Sequence, residues 1–243
     1  MQETKIVKVN NREIPVLISN EKEALLAAKT AGRAVVGLWS PGTALEDLSA
    51  ADYVVESLSD ATDEYLERVV RRVLGLPWKI CETERLVIRE LFGDDFDEVY
   101  SENVGRGFGS VEEFLAYVKN QYAFFEFGLW ALVSKETGEL IGVAGLSMPD
   151  DDRKENRNAE FYELADPLYQ NRKEVLELGY HIFARFRCQG YGIESCRAIL
   201  QYGRETFGVN RFLVRIAPDN EASKCLAGKL GFVRRKEKPV GPK

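Results

Sequence analysis

The run Arg187-Cys188-Gln189-Gly190-Tyr191-Gly192 lies between an apolar stretch at residues 175–182 and a helical pattern over residues 193–207. A helix starting at such a junction leaves several backbone N–H groups without intrahelical partners, at the positive end of its dipole. Glycines there let phosphate oxygens approach closely, so the run suits a pyrophosphate cradle; an ordinary tight turn would use the same residues. Two nearby side chains could move protons. Glu177 is a charge within an otherwise apolar strand, and His181, the only histidine of the chain, titrates near neutrality. Alternation puts both on one strand face. Glu177 reads either as a base or as a salt-bridged residue at a cleft edge, and a lone histidine packs or hydrogen-bonds more often than it catalyses.

Other chemistry-bearing types give weaker patterns. Cys81, Cys188, Cys196 and Cys225 are scattered, with no CxxC or HxxxH spacing, so they read as reduced thiols and no metal site is expected. Phe124, Phe125, Phe127 and Trp130 could line an aromatic acceptor pocket, although a core calls for such residues in any case.

The 243 residues exceed the roughly 100 to 200 of a usual domain, so two modest domains are expected. A hydrophobic share of 45% and a charged share of 30% describe a globular chain with an ordinary core. The net charge of -6 argues against nucleic acid or an anionic membrane as the main partner and suits an amine-bearing one. The first residues lack the apolar centre of a signal peptide, and no run approaches the roughly 20 apolar residues of a membrane span. A cytoplasmic location follows by default.

The elements that must position the site follow from periodicity and punctuation. Strands are expected at residues 5–9 and 14–18 about an Asn10-Asn11 turn, then a helix over 21–31 capped by Ser19 or Asn20 and stopped by Gly32. The apolar run at 34–38 reads as a buried parallel strand, followed by a short helix at 44–49 and a third strand at 52–55. A helix capped by Asp60 or Thr62 ends at Gly75 and Pro77, which places the domain boundary at 77/78. The second domain should begin with a strand after Thr83, then a helix from Asp94 or Asp95 to Tyr100 and another behind a Ser110/Glu113 capping box. A hairpin over 129–134 and 140–146 and a long polar excursion over 149–173 follow; the excursion either lines a cleft or is a solvated insertion. The chain should close with a strand at 175–182, a helix at 193–207, a strand at 211–216 and a helix at 220–230.

This order resembles the GCN5-related N-acetyltransferase (GNAT) superfamily. It is carried by residues 176–182, then Arg187 to Gly192, then Pro218-Asp219-Asn220-Glu221-Ala222-Ser223 and Leu230-Gly231-Phe232. It is most similar to the branch acetylating N-terminal residues of ribosomal proteins, whose phosphate motif is filled by Arg187, Gly190 and Gly192. The start Thr83-Glu84-Arg85-Leu86-Val87-Ile88-Arg89 looks like that branch's first strand. The resemblance implies an α/β fold with a mixed central sheet flanked by helices over residues 78–243, using acetyl-CoA as co-substrate. It further implies that the backbone of Gln189, Gly190, Tyr191, Gly192 and Ile193, with Arg187 and Cys188 alongside, holds the pyrophosphate, and that backbone groups near His181, Ile182 and Phe183 pair with pantetheine. Asn220 would contact pantetheine, Glu177 would take the amine's proton, and Ser223 would protonate the leaving thiolate. Asn220 and Ser223 are equally good helix-terminus residues. The tyrosine that many relatives place seven residues after the Asn is here Ala227.

Residues 24–38 and 50–58 resemble the closing segment of haloacid-dehalogenase-type phosphatases, without that family's nucleophilic Asp motif. The first 77 residues therefore read as a small α/β, half-Rossmann-like domain for regulation, dimerisation or effector binding, and no phosphatase activity is expected. The reading is an N-acetyltransferase acting on a small-molecule amine or a protein N-terminus, as a possible homodimer; the rival is a non-catalytic acetyl-CoA sensor. Relatives add a final strand pair after the position of Arg235, which a partner chain could supply here.

Overall fold

A computed structural model describes residues 1–41, 44–104, 108–149, 159–165 and 174–235. The chain forms two compact units, Met1–Trp78 and Lys79–Lys243.

The first unit is a four-stranded sheet in the order β1-β2-β3-β4, from β1 (Gln2–Val9), β2 (Arg12–Ser19), β3 (Ala34–Leu38) and β4 (Val54–Val55). The β1–β2 hairpin closes at Val9↔Arg12, and its two linking residues, Asn10 and Asn11, have φ of 50° and 61°. A two-residue connection with both residues left-handed matches the strand twist, and asparagine tolerates that conformation. Helix α1 (Lys22–Thr30) joins β2 to its parallel neighbour β3 and packs Leu25 and Ala28 on Leu17 and Val35. Ser19 accepts the N–H of Glu21 ahead of this helix. Helix α2 (Asp63–Val73), capped by Thr62, packs against β1, β2 and β3. The segment at 44–49 forms one 3-10 turn, Leu45–Leu48.

The second unit is an eight-stranded sheet in the order β12-β9-β11-β10-β8-β7-β6-β5. Its strands are β5 (Lys79–Glu82), β6 (Leu86–Glu90), β7 (Leu129–Ser134), β8 (Leu140–Ser147), β9 (Glu160–Ala165), β10 (Leu176–Ile182), β11 (Arg211–Ile216) and β12 (Val233–Arg234). Only β10 and β11 run parallel; every other pair is antiparallel. Helices α5 (Tyr191–Phe207) and α6 (Glu221–Leu230) cover one face, over Trp130, Ala144, Leu178, Phe212 and Val214. Helices α3 (Phe96–Ser101) and α4 (Val111–Phe125) serve the other, with Ala131, Val143, Phe114 and Phe183. The expected mixed sheet flanked by helices is therefore the observed fold.

Three strands escape the periodicity, among them the two-residue β12 after α6. β5 precedes Thr83 and is short and half-exposed. β9 lies within the polar excursion, because sheet burial of Glu163 is made tolerable by Arg211 at 3.1 Å and Arg235 at 2.7 Å. Burial alone would raise that carboxyl's pKa; the bonds from Arg235 and Arg211 outweigh it and lower the pKa. The rest of the excursion, residues 150–158 and 166–173, lies outside the described residues, as do residues 236–243. At the α4 start Ser110 accepts the Glu113 N–H, but Glu113 reaches back to the N–H of Gly109 instead of Ser110, so the capping box closes one residue early.

Tyr122 joins α4 to the sheet: its buried hydroxyl accepts the Leu91 N–H at 3.0 Å and donates to the Leu129 carbonyl. Burial raises its pKa well above the ordinary phenol value, so it stays protonated as both bonds require. Replacing Tyr122→Phe strands two buried backbone groups and is expected to cost about 2 kcal/mol of the second unit's stability. A lower urea midpoint at unchanged slope would show this, whereas an unchanged midpoint would mean that both groups find other partners.

Candidate active site

β10 pairs with β8 from Glu177↔Ser147 to Ile182↔Gly142. Its parallel pairing with β11 stops after Leu176↔Phe212 and Glu177↔Leu213. Beyond Glu177 the two strands part, and one edge of β10 faces a gap. The direction of the free groups follows from one bond: the N–H of Phe183 goes to the Ile141 carbonyl of β8 at 3.0 Å. Backbone groups alternate sides along a strand, so Tyr180 and Ile182 direct theirs to the vacated edge. The sequence places that free backbone at His181 to Phe183; alternation moves it to Tyr180 and Ile182. Phe183 has its N–H in the sheet and its side chain in the core. The carbonyl of Ile182 is taken by Arg187, whose Nε donates at 2.9 Å, so the Arg187 side chain folds back on the strand end.

The gap leads to the start of α5. Cys188 and Gly190 both have positive φ, 61° and 86°, and Gly190 is the N-cap of α5. The first intrahelical bond runs from the Glu194 N–H to the Gly190 carbonyl, leaving the N–H groups of Tyr191, Gly192 and Ile193 at the free first turn. Gly190 needs its conformational freedom for the left-handed cap. Gly192 serves packing instead, since a Cβ there would meet Leu226 at 3.2 Å and Ile182 at 3.6 Å.

Each face of the fork carries one tie across it. On the α5/α6 side the Tyr180 hydroxyl donates to the Ser223 carbonyl at 3.2 Å, and burial pushes the Tyr180 pKa up to about 12. Asn220 caps α6 by accepting the Ser223 N–H at 3.0 Å. The cap thus uses the Asn220 carboxamide and the Ser223 backbone, and leaves the Ser223 hydroxyl out of it. Ala227 is fully buried in the core. On the opposite face Arg215 of β11 grips Glu177 with both ends of its guanidinium, Nε at 2.7 Å from Oε1 and Nη2 on Oε2. The pair is largely buried, with exposures of 9% and 16%. Glu177 is therefore oriented by a fork-to-fork ion pair, with the carboxylate's remaining lone pairs available to a third group.

Glu177, Gly179 and His181 line this same face of β10 in order. Gly179 is exposed, and among the described residues a Cβ there would meet no atom within 4 Å. A glycine inside a strand with open space above it marks a close approach by another group. Gly179 interrupts an otherwise apolar strand, a local signal present in the sequence. His181 Nε2 is buried and lies 3.8 Å from Glu102, beyond hydrogen-bond reach. Burial and the Arg187 charge lower its pKa despite Glu102, so the imidazole is neutral at pH 7. Of the aromatic candidates, Trp130 and Phe127 are core residues, while Phe124 is 79% exposed and meets Phe125 edge-on at the end of α4. Cys196 is buried within α5 and Cys188 is exposed in the loop.

A strand that loses its parallel partner after Glu177 is thus followed by a helix with a left-handed glycine cap and a free first turn. Residues 85–233 match the family model of the acetyltransferase (GNAT) domain, more than half of the chain. The chain belongs to that family. It is an acetyltransferase. The uncharacterized N-acetyltransferase YoaA of Bacillus subtilis strain 168 is 27% identical over 165 residues, covering 63% of this chain and 82% of the relative. The uncharacterized N-acetyltransferase p20 of Bacillus licheniformis is 26% identical over 103 residues, covering 42% and 47%. Among solved structures, the acetyltransferase from Agrobacterium tumefaciens strain C58 shares the fold with a TM-score of 0.50 at 21% identity, covering 67% of this chain and 88% of that one.

In this acetyltransferase the helix carrying the loop is tied to the far side of the sheet. Glu194, in the first turn of α5, accepts from the Thr83 hydroxyl, the Arg85 N–H at 3.0 Å and Arg85 Nε at 2.7 Å. Burial would raise its pKa, but the bonds from Thr83 and Arg85 prevail and lower it. A lowered carboxyl pKa stabilises the fold above the unfolded value, about 4.3, and the contribution is lost as pH falls through the lower folded value. Glu194→Gln should therefore cost about 2 kcal/mol at neutral pH, with the difference from the parent shrinking below about pH 4. Urea titrations at several pH values test this; a pH-independent difference would contradict it.

Proposed function

We propose that the protein is an acetyl-CoA-dependent N-acetyltransferase that moves an acetyl group to a primary amine, on a protein N-terminus or a small molecule. The observation that carries the reading is the fork between β10 and β11, opening after Glu177↔Leu213 and ending at the Gly190 cap of α5. In this reading the N–H groups of Tyr191, Gly192 and Ile193, with Gln189, Gly190 and Cys188 forming the loop, hold the pyrophosphate. Arg187 braces the loop against Ile182, and the edge groups of Tyr180 and Ile182 bond the pantetheine arm as a missing strand would. Bound acetyl-CoA supplies the activated thioester.

The remaining steps fall to side chains. The amine must attack in its neutral form and the leaving thiolate gains from a proton. Glu177, oriented by Arg215 beside the open space at Gly179, meets the acceptor amine on the α3/α4 face and takes its proton directly or through a water. Ser223, whose hydroxyl is not spent on capping α6, protonates the leaving sulfur from the other side of the fork. Asn220 sets the start of α6 and so places Ser223. The first unit is assigned a regulatory or oligomerising role.

A thiol-release assay with acetyl-CoA across an amine panel, including peptides beginning with Ala or Ser, tests the proposal. Glu177→Gln should lower kcat/KM about 100-fold and Ser223→Ala about tenfold, with acetyl-CoA binding retained. A double variant acting at the parent rate would refute both assignments. A parent that binds acetyl-CoA but acetylates no amine would instead favour a sensor.

A further inference from the structure

We infer that Arg85, held by Glu194, which Thr83 also bonds, is a positioning residue for coenzyme A: it fixes the Gln189–Gly190 peptide and thereby aims the loop's amides at the pyrophosphate. The inference rests on reading this loop as the coenzyme A site. No part of the reaction as described above uses the Thr83-Glu84-Arg85 segment.

The geometry is specific. Arg85 lies just ahead of β6, about a hundred residues before the loop in sequence. Its Nη1 donates to the Gln189 carbonyl at 3.0 Å. Its guanidinium carbon sits 4.2 Å from the centre of the Tyr191 ring, and its Nη2 lies 3.3 Å from where a Cβ on Gly190 would be. The same guanidinium pairs with Glu194 at 2.6 Å, and the Arg85 N–H and Thr83 hydroxyl bond the other oxygen of that carboxylate. One side chain therefore touches Gln189, Gly190, Tyr191 and Glu194.

The consequence follows from peptide planarity. In a trans peptide the C=O and the following N–H point in opposite directions. A bond that holds the Gln189 carbonyl on Arg85 sends the Gly190 N–H away from it. Such a hold matters here because the loop contains two left-handed residues, Cys188 and Gly190, and glycine has the widest choice of conformations to lose. An outside clamp removes that freedom before the ligand arrives. The clamp also resolves an electrostatic conflict: a carboxylate in the first turn competes with a bound anion for the helix dipole, and Arg85 neutralises Glu194 while Thr83 occupies it further. Lysine could keep the charge but could not bond a carbonyl and a carboxylate while stacking on a ring.

The test is coenzyme A binding to the full chain by calorimetry, with pantetheine, which lacks the pyrophosphate, as a second probe followed by thermal shift. Arg85→Lys and Arg85→Ala should each weaken coenzyme A about tenfold, the value of one charged hydrogen bond, while the pantetheine shift stays at the parent level. Thr83→Val removes the hydroxyl bond to Glu194, together with the bond that the hydroxyl accepts from the Leu86 N–H at 2.9 Å, and should weaken coenzyme A in the same direction by less, which keeps the test open should an Arg85 variant fail to fold. Unchanged coenzyme A affinity in the folded variants overturns the inference alone, as does an equal loss for pantetheine. Failure of the parent to bind coenzyme A overturns the reading of the loop and this inference with it.

Discussion

The fork between β10 and β11 is the constraint from which the rest of the site follows. A strand in mid-sheet that loses its partner exposes backbone donors and acceptors that are costly to leave unpaired in a dry interior. Here the separation begins at Glu177↔Leu213, and side chains brace it where the ladder cannot. Glu177 and Arg215 tie the strands on one face; Tyr180 reaches the first turn of α6 on the other. In the proposed reading a substrate arm bonds the open edge and completes the sheet, so the cost of the unfinished ladder would become binding energy.

The two faces of the fork offer different chemistry. The α5/α6 side has a helix start, a capped second helix and the Ser223 hydroxyl, which suits an anionic donor and a leaving thiolate. The α3/α4 side carries the oriented Glu177, the open space over Gly179 and the neutral His181, which suits an incoming amine. In the proposed reading, donor and acceptor lie on opposite faces of one strand, so the two ligands need not compete for the same groups.

Much of this was legible from residue types alone. The loop Arg187 to Gly192, the Asn220 cap, the Asn10-Asn11 hairpin and the helices on either side of β11 are local signals, readable from a few neighbouring residues. Features made by pairing distant segments were not. β9 hid in a polar stretch because its buried Glu163 draws its compensation from Arg211 and Arg235, which lie far along the chain. The direction of the backbone groups on β10 required the register with β8, which holds the Phe183 N–H on Ile141 and turns those of Tyr180 and Ile182 the other way. Arg85 gave no sign of its role, since its partners are about a hundred residues away and nothing local to β6 implies them. Glu177 stood out as a charge in an apolar strand, but whether it was paired could not be read until Arg215 was placed beside it.

The central claim is that the vacated edge of β10 and the first turn of α5 bond one ligand together. Amide hydrogen exchange with and without coenzyme A measures this most directly. The account predicts slowed exchange at Ile182 and Tyr180 along the strand edge and at Tyr191, Gly192 and Ile193, with Phe183, already bonded to Ile141, unchanged. Slowing at the helix start with none on the β10 edge would contradict it.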